Sequence, residues 1–191
     1  MITLNDLTVK QVMDIKNITT EDEMEKALEL VSIIYNCKAE ELPIAEFQKK
    51  LKEIDLNQPV DKPRVKKYYT INGTKYKLDK SLNISTAQYV DYTTYMKTGD
   101  LSKILSVFLI PEGHSYNNGY DILKVIKDME TVSYPIASSI GFFFLRLFRI
   151  YIKLFLPFLV RKMKKTNPTV AELFKKQTTI LLNNLESCLT F

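Results

Sequence analysis

Between residues 21 and 36, "EDEMEKALELVSIIYN" sets Met24, Ala27, Leu28, Val31 and Ile34 three and four residues apart, behind a cluster of acids. Side chains at that spacing share one face of a helix, and carboxylates in a first turn complement the helix macrodipole. An amphipathic helix is predicted there. Just upstream, "LTVKQVMDI" (7–15) places Thr8 three residues before Gln11, the reciprocal spacing of a capping box, which predicts a helix start. "KAEELPIAEFQKKLKEI" (38–54) reads as a short turn and a further helix, with Pro43 tolerable in a first turn but not in an interior. The period is lost in "NQPVDKPRV" (57–65), which holds two prolines and reads as a linker.

Alternation replaces the helical period in "YYTINGTKYKL" (68–78), where Asn72-Gly73 supplies the positive φ angles of a type I′ turn, predicting a β-hairpin. The helical pattern then returns in a form resembling its first appearance. "ISTAQYVDY" (84–92) matches "LTVKQVMDI" with Ser85 for Thr8, Gln88 for Gln11 and Asp91 for Asp14. Each copy is followed by an aliphatic helix, "LELVSIIYN" or "LSKILSVFLI", which suggests an internal repeat. "PEGHSYNNGYD" (111–121) reads as a loop and "YDILKVIKDM" (120–129) as a short helix. In the last segment, Thr169 and Glu172 stand at capping-box spacing, and Leu173, Ile180, Leu181 and Leu185 form one stripe.

The densest apolar run, "SSIGFFFLRLFRIYIKLFLPFLVRKMKK" (138–165), invites a membrane reading. Its apolar residues each favour insertion by roughly 0.3–0.6 kcal/mol, but Arg146, Arg149 and Lys153 each oppose it by roughly 2.5–3.5 kcal/mol. Their spacing of three and four puts the three cations on one stripe, opposite Phe144, Leu147, Tyr151, Leu154 and Phe158. The expectation is a helix covered by neighbours over most of its circumference, with Pro157 kinking or ending it. An interfacial membrane helix is the less favoured alternative. Arg161, Lys162, Lys164 and Lys165 follow as a solvated cluster or a phosphate contact.

Charge sharpens this picture. Residues 1–60 carry 7 basic and 12 acidic groups, 61–130 carry 11 and 8, and 131–191 carry 9 and 2, giving net charges of −5, +3 and +7. Such a gradient steers an acidic partner or docks one end of the chain on the other. The two cysteines, Cys37 and Cys188, have no metal-like or framework spacing, and "MITLNDLTVKQ" lacks the basic and long apolar regions of a secretory signal. No phosphate-binding glycine loop and no metalloprotease motif occurs. His114 is the only histidine and lies in the turn-rich loop without a nearby cysteine or serine motif, so no residue supports catalysis. Asp91 and Asp121 have no reason to pair. The eleven tyrosines read as core margin or protein contact, or as a stacking surface for bases.

The expected fold is therefore mainly α: helical bundle-like domains with one β-hairpin at about 68–78. The expected divisions are an acidic helical domain at 1–56, a linker at 57–66, a hairpin plus helical domain at 67–135, and basic, aromatic helices at 136–191. The order of "DLTVKQVMDI", "LELVSIIYNCKAEELPIAEFQKKLKEI", "YTINGTKYKLD" and "ISTAQYVDYTTYMKTGDLSKILSVFLIPEG" resembles small helical virion and tail-assembly-chaperone-like proteins of tailed phages, especially crAss-like phages of Bacteroidetes. The similarity spans about residues 3–145. It implies a non-enzymatic virion protein, cargo or associated with portal or tail, present in multiple copies, needing no cofactor or metal, and residing in the host cytoplasm before assembly. Its alternatives are a chaperone that leaves before maturation and a membrane-active ejection protein. The expected contacts with virion proteins or packaged DNA fall on Arg146, Arg149, Lys153, Arg161, Lys162, Lys164 and Lys165.

Overall fold

A computed structural model describes residues 1–78, 84–165 and 167–189, apart from the side chains at 148–149, 151–156, 158–159, 177–178 and 181–189. The elements run α1 (Val9–Lys16), α2 (Glu23–Tyr35), α3 (Ile44–Lys52), β1 (Tyr68–Ile71), β2 (Thr74–Leu78), α4 (Thr86–Thr98), α5 (Leu101–Phe108), β3 (Leu109–Pro111), α6 (Ile122–Glu130), α7 (Tyr134–Lys164) and α8 (Pro168–Leu189). The protein is mainly α, with one small antiparallel sheet of order β1-β2-β3. Asn72 and Gly73 take φ values of 48° and 75° in the tight turn, and Tyr69 faces Tyr76 across the hairpin. The third strand departs from the expected helix over "LSKILSVFLI". The chain leaves α5 at Leu109 and pairs Leu109 with Leu78 and Ile110 with Lys77. Edge pairing on β2 satisfies backbone groups that a short helix could not, a long-range gain invisible to local periodicity.

Both repeated capping boxes form. The Thr8 and Ser85 hydroxyls accept from the Gln11 and Gln88 backbone N–H groups, while each glutamine Oε1 accepts from the N–H of its own cap residue. The amide nitrogens of the same glutamines have a second task. Gln11 Nε2 donates to the carbonyls of Ile33 (3.3 Å) and Ile34 (3.1 Å) in α2, and Gln88 Nε2 donates to Val107 in α5 (3.1 Å). One side chain per copy thus starts a helix and holds the carboxyl end of the helix that follows it. The sequence match at residues 84–92 is in this way a match of construction.

A single cluster of buried side chains runs from Leu4 to Leu145 and draws on α1, α2, the sheet, α4, α5, α6 and the start of α7. The backbone joins its ends: Val9 N–H donates to Val132 and Tyr134 N–H donates to Leu7, both at 2.8 Å, so the starts of α1 and α7 face each other. The segment at 57–65 has no regular structure, but Asn5 fastens it by donating to the Pro59 carbonyl and accepting from Asp61 N–H. Tyr92, Phe108 and Phe144 bring α4, α5 and α7 together, with Phe108 stacked on Phe144 at a centroid distance of 3.8 Å and Tyr92 edge-on to Phe108 at 5.4 Å. Such ring pairs add about 0.5–1.5 kcal/mol beyond the area they bury.

One carboxylate lies within this core. Asp128 of α6, 6% exposed, accepts from the Tyr76 hydroxyl (2.5 Å) and Asn72 Nδ2 (2.9 Å), with Lys124 Nζ at 3.4 Å. Burial pushes its pKa up, but the Tyr76 and Asn72 hydrogen bonds and the Lys124 charge outweigh this and hold it below the usual carboxylate value. Burial, reinforced by the neighbouring carboxylate, pushes the Tyr76 hydroxyl upward. The turn residue Asn72 therefore both shapes the hairpin and fastens it to α6.

Three expectations about stability follow. Asp128→Ala should lower the unfolding free energy by about 3 kcal/mol in urea titrations, because it takes the carboxylate acceptor from the buried Tyr76 hydroxyl and leaves the Asn72 amide only Thr131. The folded pKa of Asp128 lies below the unfolded value of about 3.9, so its contribution is present above that value and lost as pH falls through the folded pKa. Asp128→Asn should accordingly flatten the acid limb of the stability profile. Gln88→Ala should cost about 1–3 kcal/mol and more than Gln11→Ala, since Gln88 is 5% exposed and its loss strands a buried carbonyl.

Candidate interaction surface

The 31 residues of α7 give a rod of about 46 Å at about 1.5 Å per residue. Its first turns belong to the core: Ala137 and Ile140 are fully buried, and Phe144 and Leu145 nearly so. The helix begins at Tyr134 rather than at 138, with Pro135 in the first turn, where a missing N–H costs nothing. It does not end at Pro157. The proline lies inside the helix, which continues to Lys164, and the proline's own position is exposed.

The turn after Lys165 is built differently from the expected capping box. Asn167 caps α8 by accepting from Val170 N–H (3.1 Å), and Pro168 occupies the first helical position. Thr169 is thus inside the helix, and Glu172 instead pairs with Lys164 at 2.9 Å across the α7–α8 turn. Ala171 is fully buried at this junction. α8 packs on α7 as a helical hairpin and also touches α4. The Lys164 pair is exposed on both sides, so it orients the turn more than it stabilises it.

The cations expected to make contacts gather on this hairpin. Arg146, Arg161, Lys162, Lys164 and Lys165 are exposed, and Lys175 and Lys176 of α8 join them. The side chains of Arg149 and Lys153 lie outside the described residues, so the stripe through residues 146, 149 and 153 is described only at Arg146, which points to solvent. The apolar stripe of α8 is exposed where it is described. Leu173 and Ile180 are 55% and 47% exposed, and Val170 on the same side is 43% exposed. Ile150 of α7 is 48% exposed. Helical periodicity put Leu173 and Ile180 together correctly, but only the packing of α8 shows that this side is left uncovered. The side chains of Leu181 and Leu185 are outside the described residues.

The other candidate residues serve structure. Asp91 accepts from the Tyr116 hydroxyl at 2.7 Å, and Asp121 caps α6 through Leu123 N–H, so the two carboxylates do not act as a pair. Burial, reinforced by the Asp91 hydrogen bond, pushes the Tyr116 hydroxyl upward. His114 is exposed, with its ring edge-on to Tyr120 at 5.9 Å. It borders a cleft of about 570 Å³ lined also by Lys77, Ser85, Gln88, Ser115 and Tyr116. In that cleft the Ser85 hydroxyl and Gln88 amide are committed to the α4 cap and to Val107. Tyr76, Tyr92 and Tyr134 are buried, while Tyr68 and Tyr89 are the exposed large tyrosines of the described residues. Among the described residues, no three His, Cys, Asp or Glu side chains gather as a metal site would need, and no helix is long and apolar enough to cross a membrane.

Replacing Leu173 and Ile180 together by Gln should leave the urea midpoint nearly unchanged, within about 0.5 kcal/mol, because exposed positions contribute little to folding. The same variant should bind less of an apolar-surface dye, which fluorescence titration would measure. Both measurements are made at a dilution where the chain is monomeric, and a loss of several kcal/mol there would instead place those side chains in the core of the single chain. Comparison with known proteins assigns the chain to no family: no family model matches it, and no curated protein and no solved structure is similar to it.

Proposed function

We propose that the chain is a non-enzymatic assembly protein of a tailed-phage particle, a cargo or portal- or tail-associated component held through its α7–α8 hairpin. The observation that carries the binding part of this reading is the uncovered apolar stripe of Val170, Leu173 and Ile180, set among exposed cations on a helical hairpin. A contiguous apolar side rimmed by charge is a feature of surfaces that meet another macromolecule. The phage context rests on the resemblance over residues 3–145, and the α7–α8 hairpin lies almost wholly beyond that span.

The remaining chemistry is consistent with a binding protein. The buried Asp128 carboxylate and Gln88 amide are satisfied by neighbours within the fold. Particle proteomics tests the proposal: in purified virions the chain should be recovered at a stoichiometry comparable to portal or tail subunits. Abundance in infected cells with absence from particles would overturn it and favour a chaperone that departs before maturation.

A further inference from the structure

We infer that the occupant of the α7–α8 surface is a second copy of this chain, which presents the acidic side of α2 and α3. The two surfaces are complementary in charge and in apolar content. Glu21, just before α2, and Glu25 and Glu29 on it recur at four-residue spacing and are exposed, with Met24 beside them at 62% exposure. On the following elements Glu40, Glu41 and Glu46 are exposed, together with Ile44 at 76% exposure. Facing them would be Arg161, Lys162, Lys165, Lys175 and Lys176 with Val170, Leu173 and Ile180.

Among the described residues, the acidic and basic helices do not pack extensively on one another within one chain. α2 packs on α1 and α3, whereas α8 packs on α7 and α4. Among the described residues, no extensive internal interface between those helices consumes the charge difference between the ends, −5 over residues 1–60 and +7 over 131–191. Several of the acids do have local lysine partners, Lys26 for Glu23, Lys38 for Glu41 and Lys50 for Glu46, but Glu21, Glu25, Glu29 and Glu40 form no such pair among the described residues. Like faces repel, so copies meet through unlike faces, with charge setting the pairing and the apolar side chains holding it. This deepens the assembly reading by naming the partner. It does not depend on the phage context.

The test uses sedimentation equilibrium of the full chain. The wild type should associate with increasing concentration, and raising salt from about 0.1 M to about 1 M, which shortens the Debye length from about 10 Å to about 3 Å, should weaken that association about tenfold or more. A basic-face variant (Arg161→Glu, Lys165→Glu, Lys176→Glu) and an acidic-face variant (Glu25→Lys, Glu29→Lys) should each be monomeric with unchanged helical circular dichroism. Mixed in equal amounts they should associate again, because the acidic face of the first is intact and so is the basic face of the second. Restored association also proves both variants folded. A monomeric wild type, or a mixture that stays monomeric, overturns the inference. So does a basic-face variant that still self-associates while losing duplex DNA or anionic vesicles that the wild type retains, an outcome that assigns the hairpin to a polyanion. Each result is independent of whether the chain is found in virions.

Discussion

The position of everything beyond residue 145 depends on how the first turns of α7 are held. Those turns are clamped on two sides, by the backbone pairing of residues 7–9 with 132–134 and by the stack of Phe144 on Phe108. Hydrogen bonds supply direction and aromatic burial supplies most of the free energy, since hydrophobic burial dominates folding while a buried backbone bond chiefly avoids a penalty. A helix of this length acts as a lever: its buried base fixes where the cations and exposed aliphatic side chains near its far end stand.

The core beneath that base is assembled from two copies of one device. In each, a Ser or Thr cap and a Gln three residues later open a helix, and the same Gln reaches over to the carboxyl end of the next aliphatic helix. A glutamine amide has one acceptor and two donors, which is why this residue type can serve both ends. The copies differ in their surroundings. Gln88 is buried on α4, which packs on α5 and α8, whereas Gln11 is half-buried near the acidic helices. Asp128 complements this arrangement on the opposite side of the core, where a buried charge is tolerable only because Tyr76, Asn72 and Lys124 surround it.

The folded base carries a helical hairpin that leaves Val170, Leu173 and Ile180 exposed. Exposed aliphatic residues on α8 carry a cost in solubility, and the surrounding lysines offset it. The acidic helices at the other end supply a surface of opposite sign. Charge separation along the chain is thereby turned into separation in space, because the acidic and basic helices pack on different parts of the core.

The sequence by itself determined the local features: the capping boxes at Thr8 and Ser85, the Asn72-Gly73 hairpin and the helices of the acidic segment. Each is set by interactions within a few residues, so spacing and residue type suffice to read it. Tertiary structure alone decided that residues 109–111 join the sheet as a third strand, that Asp128 is buried under the hairpin, and that the helix runs on through Pro157. It also decided that Leu173 and Ile180 face outward and that Asn167, not Thr169, caps α8. Those outcomes turn on partners distant in sequence or on competition between neighbouring caps. A periodic apolar stripe specifies that one side of a helix is apolar, whereas only the packing of the other elements specifies which side is covered.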